Sequence, residues 1–353
     1  MILPFEDATL LITGGTGSVG KVLVRRILTG EMGVPRKIIV FSRDEGKHHA
    51  MRNYFRNLPS ATDDLAYTDF INLLTFKVGD VRDYASVTAA LRNVDIVINA
   101  AALKQVPSCE YAPYEAVKTN VGGTQNIVRS IAEVNRDVET VIGISTDKAC
   151  KPINVMGMTK ALQERILTEA NIECPDTRFA GVRYGNVIAS RGSVIPLFRD
   201  QVLAGGPVTV TTSDMTRFLI SLDDAVDTIF AAVTSADPGC LVIPQIPAAR
   251  IVDVAQAMIG DRKIPTIFTG IRPGEKIHEV LVSEEEGYRT TVAGNYYIIH
   301  PDLPELWTRQ GTTINREYAS NHYVLSRHDV AALLAKFNLL SETPAMVGGE
   351  MLA

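Results

Sequence analysis

The sequence predicts an α/β chain built on a doubly wound parallel sheet, followed by a smaller C-terminal part. Three observations carry that expectation. Short apolar, β-branched runs alternate with longer amphipathic stretches through roughly the first two hundred residues. A glycine-rich turn directly follows the first run and opens the first helical pattern. After about Asn186 the alternation gives way to shorter elements punctuated by glycine and proline.

In chain order, strands are expected at Thr9–Thr13, Lys37–Phe41, Leu73–Val78, Asp95–Asn99, Thr140–Ser145 and Arg178–Val182. Strands buried on both faces read as near-continuous apolar runs, and these do. Helical patterns lie between them at Gly17–Leu28, Tyr84–Leu91, Pro113–Ala132 and Val155–Ala170. Helices in that position act as right-handed crossovers, which makes the sheet parallel. The stretch Arg56–Phe70 breaks the rhythm and is expected as a surface excursion. Past Asn186, Gly192, Gly205–Gly206–Pro207, Pro238–Gly239, Pro244, Pro247 and Pro273–Gly274 mark a loop-rich part packed over the carboxyl ends of the strands. The expected division is residues 1–186, then 187–340 with some segments returning to the first part, then a tail 341–353 that frays from Thr343.

The chain has 353 residues, 46% hydrophobic and 21% charged, which is ordinary globular composition and excludes a disordered protein. Lysine and arginine total 35 against 40 acidic residues, and the net charge of −5 is a poor match to nucleic acid. Cys109, Cys150, Cys174 and Cys240 are far apart, with no CxxC pair and no His/Cys cluster. Neither a disulfide framework nor a metal site is expected, and a reducing cytoplasm fits. No apolar stretch is long enough to span a membrane, and Glu6 and Asp7 stand where a signal peptide would need basic residues.

The turn Thr13-Gly14-Gly15-Thr16-Gly17-Ser18-Val19-Gly20 joins the first strand to the first helix. Glycines at 14, 17 and 20 permit a tight turn, backbone approach to a pyrophosphate, and close helix–strand packing. The phosphate charge then rests on the free N–H groups of the helix N-terminus. A lone glycine triplet is weak evidence; strand before and helix after strengthen it. At the end of the second strand, where an NAD site would place an acidic residue, stand Ser42 and Arg43, with Asp44 next and Lys47 one turn on. A hydroxyl and a guanidinium suit a 2′-phosphate, so NADP is favoured over NAD. The bland alternative is a solvated basic helix start. Gly79-Asp80-Val81 ends the third strand, where a carboxylate could accept the adenine amino group. The small residues Ala100 and Ala101 end the fourth and leave room for a dinucleotide.

Ser145-Thr146-Asp147-Lys148 ends the fifth strand, at the sheet edge where open α/β folds place their chemistry. Met156 and Lys160 share a helix face further on. Taken alone, an Asp–Lys neighbour pair is usually a solvated turn; strand-end placement and the spacing to Lys160 argue otherwise. Here the chain resembles the extended short-chain dehydrogenase/reductase family, a Rossmann fold whose signature is a tyrosine four residues before a lysine. In this sequence methionine holds the tyrosine position. A thioether moves no proton, and Met156 is read as a packing residue.

The match is closest to the nucleotide-sugar 4,6-dehydratases of inverting type that act on UDP-N-acetylglucosamine in capsule, O-antigen and related polysaccharide biosynthesis. It rests on Gly14–Gly20, Ser42-Arg43-Asp44, Ala100–Pro107 (AAALKQVP), Lys118–Gly122 (KTNVG), Ser145–Pro152 (STDKACKP) and Asn154–Lys160 (NVMGMTK). It continues through Arg183–Val187 (RYGNV), Gly192–Phe198 (GSVIPLF), Met215–Phe218 (MTRF) and Arg272–Glu279 (RPGEKIHE), and loosens beyond about residue 290. The resemblance implies a lyase in which NADP is reduced and regenerated within one turnover, giving a 4-keto-6-deoxy sugar inverted at C5. It implies Lys148 as C5 base, Asp147 as acid toward the C6 hydroxyl and Thr146 on the C4 oxygen. Lys160 holds the nicotinamide ribose. The Lys160 cation, burial and the oxidised nicotinamide are expected to lower the Lys148 pKa. In the absence of tyrosine, Lys148 itself or a water relay takes the C4 proton.

Further contacts follow by the same resemblance. Thr16, Ser18, Val19, Val81 and Asn120 join the cofactor groove, and Lys104 lies where cofactor and sugar meet. Asn186 and Val194 face the sugar nucleotide, and Arg217 and Arg272 are candidate diphosphate clamps. Glu275 could orient the clamp or bind the uridine ribose, and His278 is read as structural. Cys150 is read as a small hydrophobe rather than a nucleophile. Relatives commonly assemble as homo-oligomers, so at least a dimer is expected. The alternatives are a retaining 4,6-dehydratase, a 4-epimerase on the same scaffold, additional C5 epimerisation, and a non-enzymatic NADP sensor. A 4-epimerase should keep the tyrosine, and a sensor has no need of a sugar-diphosphate clamp.

Overall fold

Alternate side chains of each central strand go to opposite faces of the sheet, and here both faces are buried. Leu10 and Ile12 pack with Val22, Leu23 and Ile27 on one side, while Leu11 joins Val97, Ile127 and Val141 on the other. That is why Thr9–Thr13 reads as an uninterrupted apolar run. The computed structural model describes residues 3–56, 73–188, 193–307, 311–340, 346–347 and 350–351. The excursion expected at Arg56–Phe70 therefore falls, beyond Arg56, outside the described residues, as does Gly192.

Six strands and their crossovers form the first part: β1 Thr9–Thr13, β2 Lys37–Ser42, β3 Leu74–Val78, β4 Ile96–Asn99, β5 Thr140–Thr146 and β6 Arg178–Tyr184. Between them run α1 Ser18–Leu28, α2 Glu45–Arg56, α3 Tyr84–Ala90, α4 Gly123–Glu133 and α5 Val155–Glu173. The strand order β3-β2-β1-β4-β5-β6 reverses direction of travel between β1 and β4, and every neighbouring pair is parallel. A ligand crevice opens at such a switch point. The fold is a doubly wound Rossmann sheet.

The expected helix Pro113–Ala132 is three pieces instead. A helical turn at Pro113–Ala116 leads into a wide π turn at Val117–Gly122, and only then does α4 begin. The wide turn carries Asn120 inward, where its carboxamide bonds the backbone N–H and C=O of Leu103 and the hydroxyl of Thr159. π turns mark places where the backbone bends to deliver a side chain. Here the delivered group ties the loop after β4 to α5.

The rest of the chain contributes β7 Asn186–Val187, α6 Val194–Leu203, β8 Val208–Val210, β9 Thr216–Ile220 and α7 Leu222–Ser235. Then come β10 Leu241–Pro244, β11 Ala248–Arg250, α8 Ile251–Ile259, β12 Thr266–Phe268 and β13 Val280–Val282. The series ends with α9 Glu284–Gly287, β14 Thr290–Ala293, β15 Tyr296–Ile299, β16 Tyr318–Ala319 and α10 Arg327–Lys336. β10 adds to β6 in parallel, and the β14–β15 hairpin closes that edge antiparallel, so the main sheet has nine strands. The smaller sheets β7-β9-β11 and β8-β12 border a separate apolar cluster from α6, α8 and α10, including Phe198, Val254, Met258 and Leu334, while β13-β16 packs with Phe218, Ile243 and Tyr297. In the tail expected to fray, Met346–Val347 pairs antiparallel with Glu350–Met351. Among the described residues no helix is long and apolar enough to cross a membrane, and all four cysteines are buried thiols.

Candidate active site

The switch point is held by a buried polar chain that sequence reasoning missed. The Thr13 hydroxyl donates to Asn99 Oδ1 at 2.7 Å, Asn99 Nδ2 donates to Thr124, and the Ala101 N–H donates to Thr13 Oγ1. It draws the ends of β1 and β4 together, so that a Cβ built on Gly14 would lie 2.8 Å from the Ala101 backbone. Gly14 also sits at φ +64°, a conformation that favours glycine. A Cβ on Gly20 would lie 2.4 Å from the Gly15 carbonyl oxygen. α1 starts on Gly17 with no side-chain cap and no acidic residue in its first turn. Tight glycines and an uncapped, acid-free helix N-terminus fit the phosphates of a dinucleotide.

At the end of β2 the Ser42 hydroxyl accepts from Thr16 at 3.2 Å and lies 2.7 Å from Nε2 of His48, a buried histidine one turn into α2. Burial and the Arg52 charge push His48 down, toward the neutral ring. Its Nδ1 is buried without a partner, which fits the tautomer protonated on Nε2. In that tautomer Ser42 accepts from both Thr16 and His48. Arg43 lies exposed, 3.8 Å from Asp80, while Lys47 pairs with Asp44 at 3.3 Å. The Asp80 carboxylate is engaged chiefly by Arg82, whose side chain and backbone N–H both donate to it. Burial raises the Asp80 pKa, but those bonds and the Arg82 and Arg43 charges carry it below the ordinary value. Lys104 is exposed on the loop after β4.

β5 delivers the candidate chemistry. Thr146 caps a short 3₁₀ turn, Asp147–Ala149, that continues the strand. Asp147 is fully buried; its Oδ1 accepts from the Thr146 hydroxyl at 2.8 Å and from Lys148 Nζ at 3.0 Å, and its Oδ2 has no partner. Lys148 Nζ also reaches Asn186 Oδ1 at 3.5 Å. On the other side of Lys148 stands Glu279, 2% exposed, with Oε1 at 3.6 Å. Sequence reasoning missed Glu279, although it closes the RPGEKIHE stretch and so carried a signal. Burial would push Lys148 down, but the Asp147 and Glu279 charges outweigh it, with Arg217 opposing, and the pKa is raised. The expected lowering by Lys160 is thus reversed in the free protein. Two carboxylates at 3.0 and 3.6 Å decide the sign.

Lys160 is itself buried, donating to the Ile144 carbonyl and to Gln163 Oε1. Burial pushes it down to about 8 against the Glu164 charge. Met156 packs with Cys109 and Ala116 in a small apolar cluster.

The residues read as diphosphate clamps divide. Arg217 is buried, and its guanidinium donates to the carbonyls of Thr216, Lys276 and Ile277. It holds the 272–279 segment in place. Arg272 is exposed at the head of that segment, and its backbone N–H donates to Glu275 Oε2 at 3.4 Å. Asn154, the cap of α5, donates to the Gly274 carbonyl, and Lys276 Nζ donates to that of Cys150. The segment is therefore pinned over the turn after β5. Val194 opens α6. The His278 ring bonds Thr216, a structural contact. Burial pushes the Cys150 thiol well up, away from a reactive thiolate.

Behind Ser145 lies a buried ion network. Ser145 donates to Glu164, which pairs with Arg183 at 2.7 Å, and Arg183 pairs in turn with Glu286 of α9 at 2.8 Å. It fastens the small part of the molecule to β6 directly behind the Thr146–Lys148 turn.

A family model described as "Polysaccharide biosynthesis protein" matches residues 10–301. A Rickettsia bellii protein named UDP-glucose 4-epimerase is 44% identical over 307 residues, 86% of this chain and 85% of its own. A Campylobacter jejuni protein named UDP-N-acetylglucosamine 4,6-dehydratase (inverting) is 40% identical over 302 residues, 85% of this chain and 84% of its own. Among solved structures, Pen from Bacillus thuringiensis superposes with a TM-score of 0.83 at 31% identity, over 95% of this chain and 100% of that one.

Proposed function

The chain belongs to the polysaccharide biosynthesis protein family, and from that premise we propose that it is an NADP-dependent lyase. It removes water across C5–C6 of UDP-N-acetylglucosamine with inversion at C5. The product is a UDP-2-acetamido-2,6-dideoxy-4-keto-hexose of L-arabino configuration. The observation that carries this reading is the Thr146-Asp147-Lys148 turn at the end of β5, with an acid and a base side by side and a methionine in place of a hydroxyl at 156. The name of the Campylobacter jejuni relative agrees with it.

Elimination needs an acidic C5–H, which a ketone at C4 provides; NADP held between the Gly14–Gly20 turn and Ser42–Arg43 would supply reversible hydride transfer there, with no net redox. The residues of the chain do the rest. Thr146 bonds the C4 oxygen, and the C4 hydroxyl proton leaves through a water relay that also resupplies Asp147. Lys148, as a free amine, takes the C5 proton, and Asp147 protonates the departing C6 hydroxyl. Lys160 supports the cofactor ribose, and Arg272 meets the diphosphate. Purified protein carrying bound NADP should convert UDP-N-acetylglucosamine without added cofactor; a protein that binds NADP and leaves the sugar nucleotide untouched would fit a sensor instead. A 4-epimerase is the second reading, favoured by the name of the Rickettsia bellii relative. Like the dehydratase it must lose the C4 hydroxyl proton, which Met156 cannot take, but it has no use for the acid–base pair Asp147–Lys148.

Ser42 and Arg43 support NADP over NAD. Arg43→Ala is expected to narrow the affinity gap between the two by roughly 1.5–3 kcal/mol, one charge-assisted contact to the 2′-phosphate. Calorimetric titration of both cofactors checks this, and equal affinities in the unmodified protein would contradict it.

A further inference from the structure

We infer that Glu279 is the proton partner of Lys148: its carboxylate takes a proton from the Lys148 ammonium and so sets free the amine that acts at C5. The inference rests on the proposed role of Lys148.

Glu279 is 2% exposed, yet its carboxylate meets its three cations only loosely. Oε1 lies 3.6 Å from Lys148 Nζ and 3.8 Å from Arg217 Nε, and Oε2 lies 3.9 Å from Lys276 Nζ. Oε2 has no hydrogen-bond partner. An ionised carboxylate buried with an oxygen left bare is costly; a carboxylic acid there is much less so. Asp147, the other carboxylate against Lys148, also has one bare oxygen, but its Oδ1 accepts from Thr146 and Lys148 within hydrogen-bond distance, whereas Glu279 stands beyond that distance from Lys148. The proton therefore belongs on Glu279. Burial pushes that carboxyl up, and the Asp147 charge adds to it; Lys148, Arg217 and Lys276 oppose without reversing it. Lys148 is raised as well, so both members of the pair compete for one proton.

The groups facing the pair come from several elements. They are Asp147 and Thr146 from the end of β5, Asn186 from β7, Arg217 from β9, and Lys276 from the pinned segment. The Glu279 backbone N–H donates to Ser320, which fixes its position. The exchange breaks one N–H bond on Lys148 and forms one O–H bond on Glu279, with no net charge change. The amine lone pair then takes the C5 proton, and one proton leaves the pair when C5 is reprotonated. Because no proton need be lost to solvent beforehand, the base is available at any pH where the pair holds a single proton.

The test is single-turnover deuterium incorporation at C5 of UDP-N-acetylglucosamine in deuterated water, followed from about pH 6 to 9, using the full chain with NADP bound. The unmodified protein should give a flat profile. Glu279→Gln should lose about 10²–10⁴-fold at neutral pH and rise about tenfold per pH unit, because Lys148 must then ionise to solvent. Glu279→Asp should restore the flat profile at a reduced rate. A Glu279→Gln variant with a flat profile, or one faster than the unmodified protein at neutral pH, would overturn the pairing. So would a rising profile in the unmodified protein, whether or not the variants fold. Lys148→Ala separates the two levels. If it still incorporates deuterium, the role of Lys148 fails; if it is inactive while Glu279→Gln stays flat, the pairing alone fails.

Discussion

Replacing Lys148 by alanine should lower conversion of UDP-N-acetylglucosamine by about 10²–10⁴-fold while NADP remains bound. The glycine turn and Arg43 belong to the β1 and β2 ends, whereas Lys148 lies past β5 against Asp147, Asn186 and Glu279. Asp147→Asn should come next in severity. The carboxamide can hold the Thr146 and Lys148 contacts but cannot protonate the C6 hydroxyl, so C4 oxidation outruns elimination and reduced cofactor accumulates. Met156→Ala should be the mildest, because it removes only packing against Cys109 and Ala116. Rates and the absorbance of reduced cofactor check the order. A Met156→Ala variant that is inactive with cofactor bound, beside an active Lys148→Ala, would reverse the roles.

The second large effect is on stability. Arg183 is 2% exposed and holds Glu164, Glu286 and the Leu281 carbonyl at once. Arg183→Ala leaves the buried Glu164 without its cation and Glu286 with only Arg289 at 4.0 Å, and breaking a buried pair in this way costs about 3–5 kcal/mol. Urea unfolding measures it, and a loss below about 1 kcal/mol would mean that water replaces the guanidinium freely. The network also has a pH signature. Burial would raise the Glu286 pKa, but the Arg183 charge and hydrogen bonds and the Ser283 N–H take it down to about 2. A carboxyl depressed in the folded state adds stability that is fully present above its unfolded pKa, about 4.3. That stability is lost as the pH falls through the folded value. Unfolding curves between pH 5 and 2 should show this loss in the unmodified protein and much less of it in Arg183→Ala.

The main sheet was legible because its chemistry is local. A strand buried on both faces, such as Thr9–Thr13 or Thr140–Thr146, is apolar on both faces through its interior, at Leu10–Ile12 and Val141–Ile142, and the helix between strands must show its own period. The break at Val117–Gly122 was not legible. A π turn keeps helical spacing in sequence, and what distinguishes it is the reach of Asn120 to Leu103 and Thr159 across the fold. In the candidate site, the Thr146-Asp147-Lys148 group could be read because a strand end and a three-residue turn bring it together. The RPGEKIHE stretch pointed to Glu279 but not to its partner, since the Arg217 bonds to the Lys276 and Ile277 carbonyls hold that segment against the turn after β5. The same bonds explain why a guanidinium read as a phosphate clamp turns out to grip backbone. A sequence shows that an arginine is present but not what it faces. The direction of the Lys148 shift was missed for that reason, as its nearest charges are two carboxylates, one of them far along the chain.

The most direct test of the proposed reaction is NMR of the product formed from UDP-N-acetylglucosamine in deuterated water by the purified chain with NADP. The expected product has lost the C6 hydroxyl, carries a C4 ketone or its hydrate and deuterium at C5, and shows ring couplings of the L-arabino configuration. A product that keeps the C6 hydroxyl and the C5 proton and is inverted at C4 would contradict the dehydratase reading and establish the epimerase.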